Sequence, residues 1–357
     1  MKEKLLEALH FFLERPSVTG EEKALCDDLE ARVKGRPGWR VGRVTNNIVV
    51  RREDPDASRD RVVFAGHLDT VPKPAGGLPP RVEGERVYGR GASDMKAGDA
   101  VMLALLEGFD WEGSWAEPVF VFYEREEGPY AENGLEVVFE RYPWMLDSEL
   151  AIVLEPTENV LEVGCVGTAQ VEVTFRGRPA HSARPWQGEN ALTAAGDFLA
   201  ALHERPAREV VVEGLSFYEV LTPTMARGGG AKNVVPDEFW VNVNHRFAPG
   251  RDIEHVKGVF DALLEGVSAT YEVVDLAPSG SVDLSHPLLQ RFFAADGLTV
   301  RPKQAWTDVA RFAERGVAAA NFGPGLPSQA HQPREYVEVA LLVGCHERLA
   351  SFLAYAP

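Results

Sequence analysis

The chain of 357 residues is 45% hydrophobic and 25% charged, an ordinary globular composition with enough length for two domains. Its 37 Lys and Arg against 54 Asp and Glu give a net charge of -17, which disfavours nucleic acid and anionic membranes as partners. No apolar run approaches the roughly 18 residues of a membrane span and the N-terminus lacks the features of a signal peptide, so we expect a cytoplasmic protein.

The three cysteines, Cys26, Cys165 and Cys345, are widely spaced and form no CxxC pair. This spacing argues against both a disulfide framework and a zinc site built from thiolates. We expect all three side chains to be buried as small hydrophobic groups.

The first two elements are predicted to be helices. An apolar stripe over residues 5–13 indicates a helix that ends before Pro16. The pattern Thr19-x-x-Glu22 has the form of a capping box, in which two side chains accept backbone N–H groups at the start of a helix. We therefore predict a second helix that begins after Thr19 and ends at Gly35.

Apolar runs predict the strands that follow. They lie at 41–51, 61–66, 118–123 and 150–154, with a Gly/Pro-rich loop at 72–91 and a helix after Asp94. Because strands and helical patterns alternate, we predict an α/β domain with a mostly parallel sheet.

The hydrophobic period changes after residue 168. Extended segments at 169–177, 216–225, 238–247 and 269–276 are interrupted by helical segments at 189–204 and 252–266. This order predicts a ferredoxin-like βαββαβ domain inserted at 169–282. The earlier pattern returns afterwards, so we expect a discontinuous catalytic domain formed by 1–168 and 283–357.

Acidic residues and histidines stand where the predicted strands stop. In open α/β sheets, ligands bind at the carboxyl ends of the parallel strands, so these side chains are expected to share one edge. The set comprises His67, Asp69, Asp94, Glu126, Glu127, Glu155 and, near the C-terminus, His331.

Imidazole and carboxylate ligands without thiolates suit Zn²⁺, Co²⁺ or Mn²⁺. One zinc ion needs three protein ligands and a water, and this set is larger, so we predict two ions about 3.5–4 Å apart. The His67-x-Asp69 spacing places both side chains on one side of an extended chain. Asp69 would then orient the imidazole of His67.

Glu126 and Glu127 are adjacent, and neighbouring residues of an extended chain point to opposite faces. The two carboxylates are therefore expected to have different roles. We assign Glu127 as a metal ligand and Glu126 as the general base, with its proton affinity tuned by the nearby cations.

Two competing motifs are weaker. Ser93 and Lys96 match the SxxK pattern of serine acyl-enzymes, but the sequence has neither the SDN-like and KTG-like partners nor a GxSxG motif. Gly89 and Gly91 begin a dinucleotide fingerprint, but Asp94 stands at the position of its third glycine and would repel a pyrophosphate. Both patterns argue less strongly for function than the acidic set does.

Taken together, "GHLDTVP", "GRGASDMKAG", "EREEG", "LEPT", "GRPAHSARPWQGENA" and "AHQPRE" resemble the M20 family of di-zinc aminoacylases and carboxypeptidases. The resemblance extends over essentially the whole chain. It implies a zinc-peptidase-like catalytic domain and an inserted ferredoxin-like domain that forms a homodimer. It also implies these ligands: His67 and Glu155 for one zinc, Glu127 and His331 for the other, and Asp94 as the bridge.

The resemblance further implies roles for two side chains that do not bind metal. Glu126 would deprotonate the bridging water and carry its proton to the departing amine. His181, in the inserted domain, would reach the partner's active site and stabilise the tetrahedral oxyanion.

Within the family, "KNVVPDEF", "NHRFAP", "WTDVARF" and "NFGPG" resemble the actinobacterial-type branch of desuccinylases that act on N-succinyl-LL-2,6-diaminopimelate. Such a substrate carries several carboxylates, so its site requires cations. Arg246 is the first candidate for a carboxylate clamp. Asn233, Arg184, Thr307 and Gly323 are further substrate-binding candidates, while Arg184 and Arg311 also fit solvated surface charges.

Other activities remain open at this level. Many desuccinylases have basic residues at the entry to the inserted domain, where this chain has "GCVGT" at 164–168. An acetylornithine deacetylase, or another hydrolase of N-acyl amino acids or peptides, is therefore an alternative. A catalytically silent dimeric scaffold is a third reading, and the complete set of ligand and base positions argues against it.

Overall fold

The computed structural model describes residues 1–72 and 79–354, except for the side chains of residues 295 and 296. Part of the predicted loop at 72–91 thus lies outside the described residues. The chain forms two compact units. The first contains Met1–Gly164, Asp283–Lys303 and the chain from Thr307 onward, and the second contains Cys165–Val282 with the short return Gln304–Trp306.

The helices, in chain order, are α1 (Lys2–Leu13), α2 (Lys23–Val33), α3 (Lys96–Gly108), α4 (Gly134–Arg141), α5 (Ala191–Ala194), α6 (Gly196–Glu204), α7 (Ile253–Leu263), α8 (Pro287–Asp296), α9 (Val309–Glu314) and α10 (Val339–Ala354). The strands are β1 (Trp39–Val44), β2 (Asn47–Arg52), β3 (Asp60–His67), β4 (Arg81–Glu83), β5 (Arg86–Tyr88), β6 (Ala116–Tyr123), β7 (Leu150–Val153), β8 (Leu161–Val163), β9 (Gly167–Arg176), β10 (Arg208–Val212), β11 (Leu215–Gly228), β12 (Glu238–Phe247), β13 (Ala269–Ala277), β14 (Val300–Pro302), β15 (Ala318–Asn321) and β16 (Tyr336–Glu338).

The first unit is built on an eight-stranded sheet with the order β1-β2-β6-β3-β7-β15-β8-β14. Its central strands β6, β3, β7 and β15 are parallel, while β1, β2 and β8 join antiparallel. All residues of β6 and β7 are buried, which explains the unbroken apolar runs at 118–123 and 150–153. The predicted α/β class with a large, mostly parallel sheet is confirmed.

The second unit has a five-stranded antiparallel sheet with the order β10-β11-β12-β9-β13. Its helices cover one face, where Val171, Val173 and Phe175 of β9 pack in one core with Phe198 of α6 and Phe260 of α7. The predicted βαββαβ order omitted the edge strand β10. That strand exists because Glu213 and Gly214, both with positive φ, form a tight turn back into β11.

The capping box predicted at the start of α2 is wrong. This helix begins at Lys23 after Glu22, and no side chain of the described residues caps it. The Thr19 hydroxyl instead donates to Asp69 Oδ2 at 2.9 Å, and Glu22 accepts the N–H of Gly20 at 2.7 Å. The Thr19 hydroxyl therefore binds a residue of the candidate site described below.

Other expectations about burial and helix ends are confirmed. All three cysteines are buried, and α1 ends before Pro16. Among the described residues, no helix combines the length and apolar character needed to cross a membrane.

Candidate metal centre

The first group of potential ligands surrounds His67, the last residue of β3 and a fully buried one. Its Nε2 lies 3.4 Å from Asp94 Oδ1, 3.9 Å from Glu155 Oε1 and 4.0 Å from Glu126 Oε2. The carboxylates come from the loop before α3, the end of β7 and the loop after β6. The strand ends therefore converge on one imidazole, as the sequence pattern predicts.

A second group adjoins the first. His331 Nε2 lies 2.9 Å from Glu127 Oε1 and 3.6 Å from Asp94 Oδ2. Asp94 thus faces His67 with one oxygen and His331 with the other. The groups His67–Asp94–Glu155 and Asp94–Glu127–His331 each bring one ligand atom per residue within 4.8 Å of the others, and Asp94 belongs to both.

The electrostatics of this cluster fit bound cations. Burial, followed by the neighbouring charge of Asp94, raises the pKa of Glu155 to about 8. Burial also raises the pKa of Glu126 well above its usual value; His67 opposes this, and the carboxylates of Glu155 and Glu127 add to it. Glu155 Oε1 is buried without a hydrogen-bond partner among the described residues. A metal ion would stabilise these crowded carboxylates and supply the missing partner.

Asp69 connects His67 to the glutamate pair. Its Oδ1 accepts the N–H of Glu126 at 3.0 Å and its Oδ2 accepts the N–H of Glu127 at 3.1 Å, besides the Thr19 hydroxyl. His67 Nδ1 lies 3.0 Å from Asp69 O and 3.4 Å from Asp69 Oδ1. Burial would raise the pKa of Asp69, but the hydrogen bond from His67 and the Glu126 N–H keep it below its usual value. Asp69 is therefore an anion that orients both His67 and the loop that carries Glu126 and Glu127, called the glutamate loop below.

The sequence pattern missed Glu124, the first acid of "EREEG". Its carboxylate accepts from the Thr45 hydroxyl, from Asn46 N at 3.1 Å and Asn46 Nδ2 at 2.8 Å, and from Asn47 Nδ2 at 3.2 Å. Its own N–H donates to Asn47 Oδ1 at 2.9 Å. The turn between β1 and β2 thereby fixes the loop that carries Glu126. The short spacing to the glutamate pair was the only local signal for this role.

The pattern also missed Glu335, a buried acid on the segment that carries His331. It hydrogen-bonds to the loop that carries Asp94. Its position four residues after His331 hinted at the site, but no periodicity indicated what it contacts.

Ser93 does not have the environment of a nucleophile. Its hydroxyl donates to Tyr336 O at 2.7 Å and accepts the N–H of Leu326 at 3.1 Å. Lys96 Nζ donates to the carbonyls of Phe12 and Arg15 at 3.1 and 3.0 Å. The Ser93 hydroxyl and the Lys96 ammonium thus form hydrogen bonds with different backbone groups.

Four candidate residues belong to the second unit. His181 and Arg184 are exposed, and the N–H of Arg184 donates to His181 O at 2.8 Å. Asn233 lies beside them, since its carbonyl accepts the N–H of Ser182 at 2.9 Å. Arg246, on β12, donates from Nε to Asn244 Oδ1 at 2.9 Å.

Thr307 and Gly323 belong to the first unit, and both are buried. The N–H of Gly323 donates to Thr157 Oγ1 at 3.0 Å, and its carbonyl accepts that hydroxyl at 3.1 Å. A Cβ on Gly323 would lie 2.4 Å from Glu155 O. Gly323 therefore supports the backbone of a potential ligand.

The surface interpretation of Arg311 is wrong, because only 1% of this residue is exposed. Its Nε lies 2.9 Å from Asp308 Oδ1 and its Nη1 lies 3.1 Å from Glu136 Oε2. Asp308 also accepts the Tyr123 hydroxyl at 2.7 Å. This buried network stands at the end of β6, next to the glutamate loop.

Comparisons with known proteins point to one family. The model of Peptidase family M20/M25/M40 matches residues 63–355. The chain is 38% identical to a Mycobacterium tuberculosis protein provisionally named succinyl-diaminopimelate desuccinylase, over 98% of this chain and 97% of that one. It is 36% identical to the succinyl-diaminopimelate desuccinylase of Corynebacterium glutamicum, over 95% of this chain and 93% of that one.

One solved structure with the same fold is the M20 family metallo-carboxypeptidase of Sulfolobus solfataricus. It superposes with a TM-score of 0.80 at 17% identity, over 98% of each chain. The aminopeptidase PepT of Bacillus cereus gives a TM-score of 0.79 at 20% identity, over 99% of this chain and 98% of that one. These two likenesses concern the fold alone.

Proposed function

Since this chain belongs to peptidase family M20/M25/M40, we propose that it hydrolyses N-succinyl-LL-2,6-diaminopimelate to succinate and LL-2,6-diaminopimelate, a step of lysine biosynthesis. Similarity to two named desuccinylases over nearly the full chain supports this substrate. The observation that carries the chemistry is Asp94, whose two carboxylate oxygens face His67 and His331 separately. The proposed enzyme is cytoplasmic and forms a homodimer through the inserted domain at 169–282.

We propose two Zn²⁺ ions as cofactors, with Co²⁺ or Mn²⁺ compatible with the same donors. The ions would polarise the amide carbonyl and lower the pKa of a bound water. The proposed ligands are His67 and Glu155 for one ion, Glu127 and His331 for the other, and Asp94 for both.

Glu126 is the proposed general base. It is the carboxylate near His67 that the ligand assignment leaves over, and its backbone is fixed by Asp69. It would take a proton from the attacking water and deliver it to the departing amine. Asp69 would hold His67 and the glutamate loop in position. His181 of the partner subunit would stabilise the oxyanion.

The substrate carboxylates require cations and hydrogen-bond donors. We propose Arg246 as the principal clamp, because Asn244 orients its guanidinium, with Asn233 and Arg184 as further candidates from the same unit. Thr307 is the proposed contact from the first unit. Gly323 would contribute indirectly, through its contact with Glu155.

The substrate test compares N-succinyl-LL-diaminopimelate with N-acetylornithine, using chelated enzyme with and without added Zn²⁺. We expect zinc to restore cleavage of the succinyl compound and to leave the acetyl compound uncleaved. Cleavage of acetylornithine alone would replace the proposed substrate by that of a deacetylase. A zinc-loaded protein inert on both would point to the silent scaffold, and activity insensitive to chelation would exclude the metal mechanism.

Glu126→Gln tests the general base. The change keeps shape and removes the proton acceptor, so we expect both metals to stay bound while kcat falls about 10²–10⁴-fold. Metal content and kcat are measured together. Glu140→Gln, an exposed change elsewhere in the first unit, is the control. An undiminished kcat in Glu126→Gln would remove Glu126 from the mechanism.

A further inference from the structure

Glu335 contacts the short loop that carries Asp94. Its carboxylate is buried, with 3% of the residue exposed. Oε2 accepts from Arg90 Nη1 at 2.9 Å and from the N–H of Gly91 at 2.8 Å. Oε1 accepts from the N–H groups of Ser93 and Asp94 at 2.9 and 3.0 Å. One side chain therefore fixes three backbone N–H groups of the loop and one cation.

These contacts need a carboxylate and no other group. All four partners are donors, and an ionised carboxylate is a pure acceptor with enough lone pairs for them. Gly91 adopts φ +82, a left-handed conformation that favours glycine, and its N–H converges with those of Ser93 and Asp94 on this one carboxylate. An amide in place of the carboxylate would set its own N–H₂ against some of these donors.

The segment that contributes Glu335 also contributes His331. Besides its side-chain contacts, Glu335 accepts the N–H of Gly89 at its carbonyl at 3.1 Å, so its backbone is joined to the same loop. His331 and Asp94 approach within 3.6 Å. The two potential ligands are thus connected through Glu335 as well as through the site itself.

We propose that Glu335 is a positioning residue of the metal centre, which keeps Asp94 directed at both His67 and His331. It touches neither the substrate nor the reacting atoms. The proposal deepens the metal mechanism proposed above and rests on it. The role does not extend to the nearby Glu338 on β16, a half-exposed acid that lies 3.4 Å from Arg86.

The test is Glu335→Gln, with Glu338→Gln as the matched control. Dialysed protein is titrated with Zn²⁺ against a competing chelator, and the Co²⁺ form is compared by its absorption spectrum. We expect at least one of the two bound ions to lose affinity about 10–100-fold, the usual effect of removing a residue that orients a ligand. The control should bind as the native protein does. At saturating metal, kcat should fall while KM stays within about twofold, because no substrate contact is removed.

Two milder variants keep the proposal testable if Glu335→Gln does not fold. Glu335→Asp retains the charge but shortens the reach, and Arg90→Met removes the cation while the backbone contacts remain. Weaker binding of metal in either folded variant supports the proposal. Native affinity for both ions in every folded variant, even with lowered thermal stability, overturns it in favour of a purely structural role.

The metal titration does not depend on which amide is cleaved. A native protein that binds two ions but leaves the succinyl compound intact would contradict the proposed substrate and leave the role of Glu335 standing. If the native protein cleaves the succinyl compound and the variants bind metal with unaltered affinity, the proposed substrate stands and the role of Glu335 is contradicted.

Discussion

At the scale of single residues, the carboxylates of the centre divide by their partners. Asp69 and Glu335 accept backbone N–H groups of the loops that carry the other acids, and Glu124 accepts a backbone N–H of the turn between β1 and β2. Asp94 and Glu127 face histidine nitrogens instead. A side chain that accepts several donors is fixed in place, whereas one that faces an imidazole nitrogen can accept a cation. The first kind sets the geometry that the second kind uses.

Gly323→Ala should weaken the centre without altering any potential ligand. The added Cβ would meet Leu154 O at 2.3 Å and Glu155 O at 2.4 Å, and these backbone atoms cannot rotate away. The backbone before Pro156 must therefore shift and move the Glu155 carboxylate. We expect metal affinity to fall at least tenfold, measured by competition with a chelator.

The control for this change is Gly258→Ala in α7, where an added Cβ meets no atom within 4 Å in the part of the chain that the structure describes. It should leave metal affinity unchanged and raise stability by up to about 1 kcal/mol, because Ala favours helix over Gly. Equal metal affinity in Gly323→Ala and the native protein would show that the Glu155 backbone tolerates the displacement.

The same division explains which residues could be predicted. His67, Glu127 and Glu155 follow apolar strands, so the rule that strand ends meet at one edge was sufficient. Glu335 bonds to residues 241 to 245 positions away, and Glu124 to residues 77 to 79 positions away. Their partners are defined only by the fold, and no local pattern contains them. The hydroxyl of Thr19 was misassigned for the same reason, since its partner is 50 positions distant.

At the scale of elements, the buried parallel strands were the most predictable part. β3, β6 and β7 are apolar because both faces of the sheet are covered, and such runs stand out in a sequence. β10 did not stand out, because it is a short edge strand that depends on pairing with β11. β10 has no buried residue, and so it lacks the alternation that predicts the other edge strand of this sheet, β13.

The turn between β1 and β2 provides an element-level prediction. Asn47 is fully buried; its Nδ2 donates to Glu124 at 3.2 Å and its Oδ1 accepts the Glu124 N–H at 2.9 Å. Asn47→Ala would remove the acceptor of the buried Glu124 N–H and one of the donors to its carboxylate, and should lower the free energy of unfolding by about 1–3 kcal/mol. Asn47→Asp should lower the free energy of unfolding further, because a second carboxylate would face Glu124. Urea unfolding and kcat report the two effects.

If the hairpin turn positions the glutamate loop, kcat should fall in both variants under conditions where they are fully folded. Unchanged kcat in a destabilised Asn47→Asp protein would mean that Asp69 alone fixes Glu126 and Glu127.

At the scale of the whole molecule, each unit contains a buried histidine away from the metal centre. His346 lies in α10 of the first unit and His245 in β12 of the second. Burial lowers the pKa of each to about 4. No hydrogen-bond partner is present for either ring nitrogen of His346 among the described residues. Both units are therefore built to contain a neutral imidazole.

This burial predicts how stability depends on pH. A histidine with a pKa near 6.5 in the unfolded chain and about 4 in the folded one binds its proton preferentially when unfolded. The contribution of the neutral histidine to the free energy of unfolding is complete above pH 6.5, declines as the pH falls, and is absent below pH 4. The shift corresponds to at most about 3 kcal/mol for each group.

His346→Leu should therefore flatten the acid limb of the stability curve. Unfolding of metal-free protein in chelator is compared at pH 7 and pH 4.5, so that metal release does not contribute. We expect the native protein to lose more stability than His346→Leu over this interval, because leucine binds no proton. His203→Leu, an exposed change in α6, should follow the native curve. Parallel curves for His346→Leu and the native protein would mean that His346 is hydrated or already protonated in the fold.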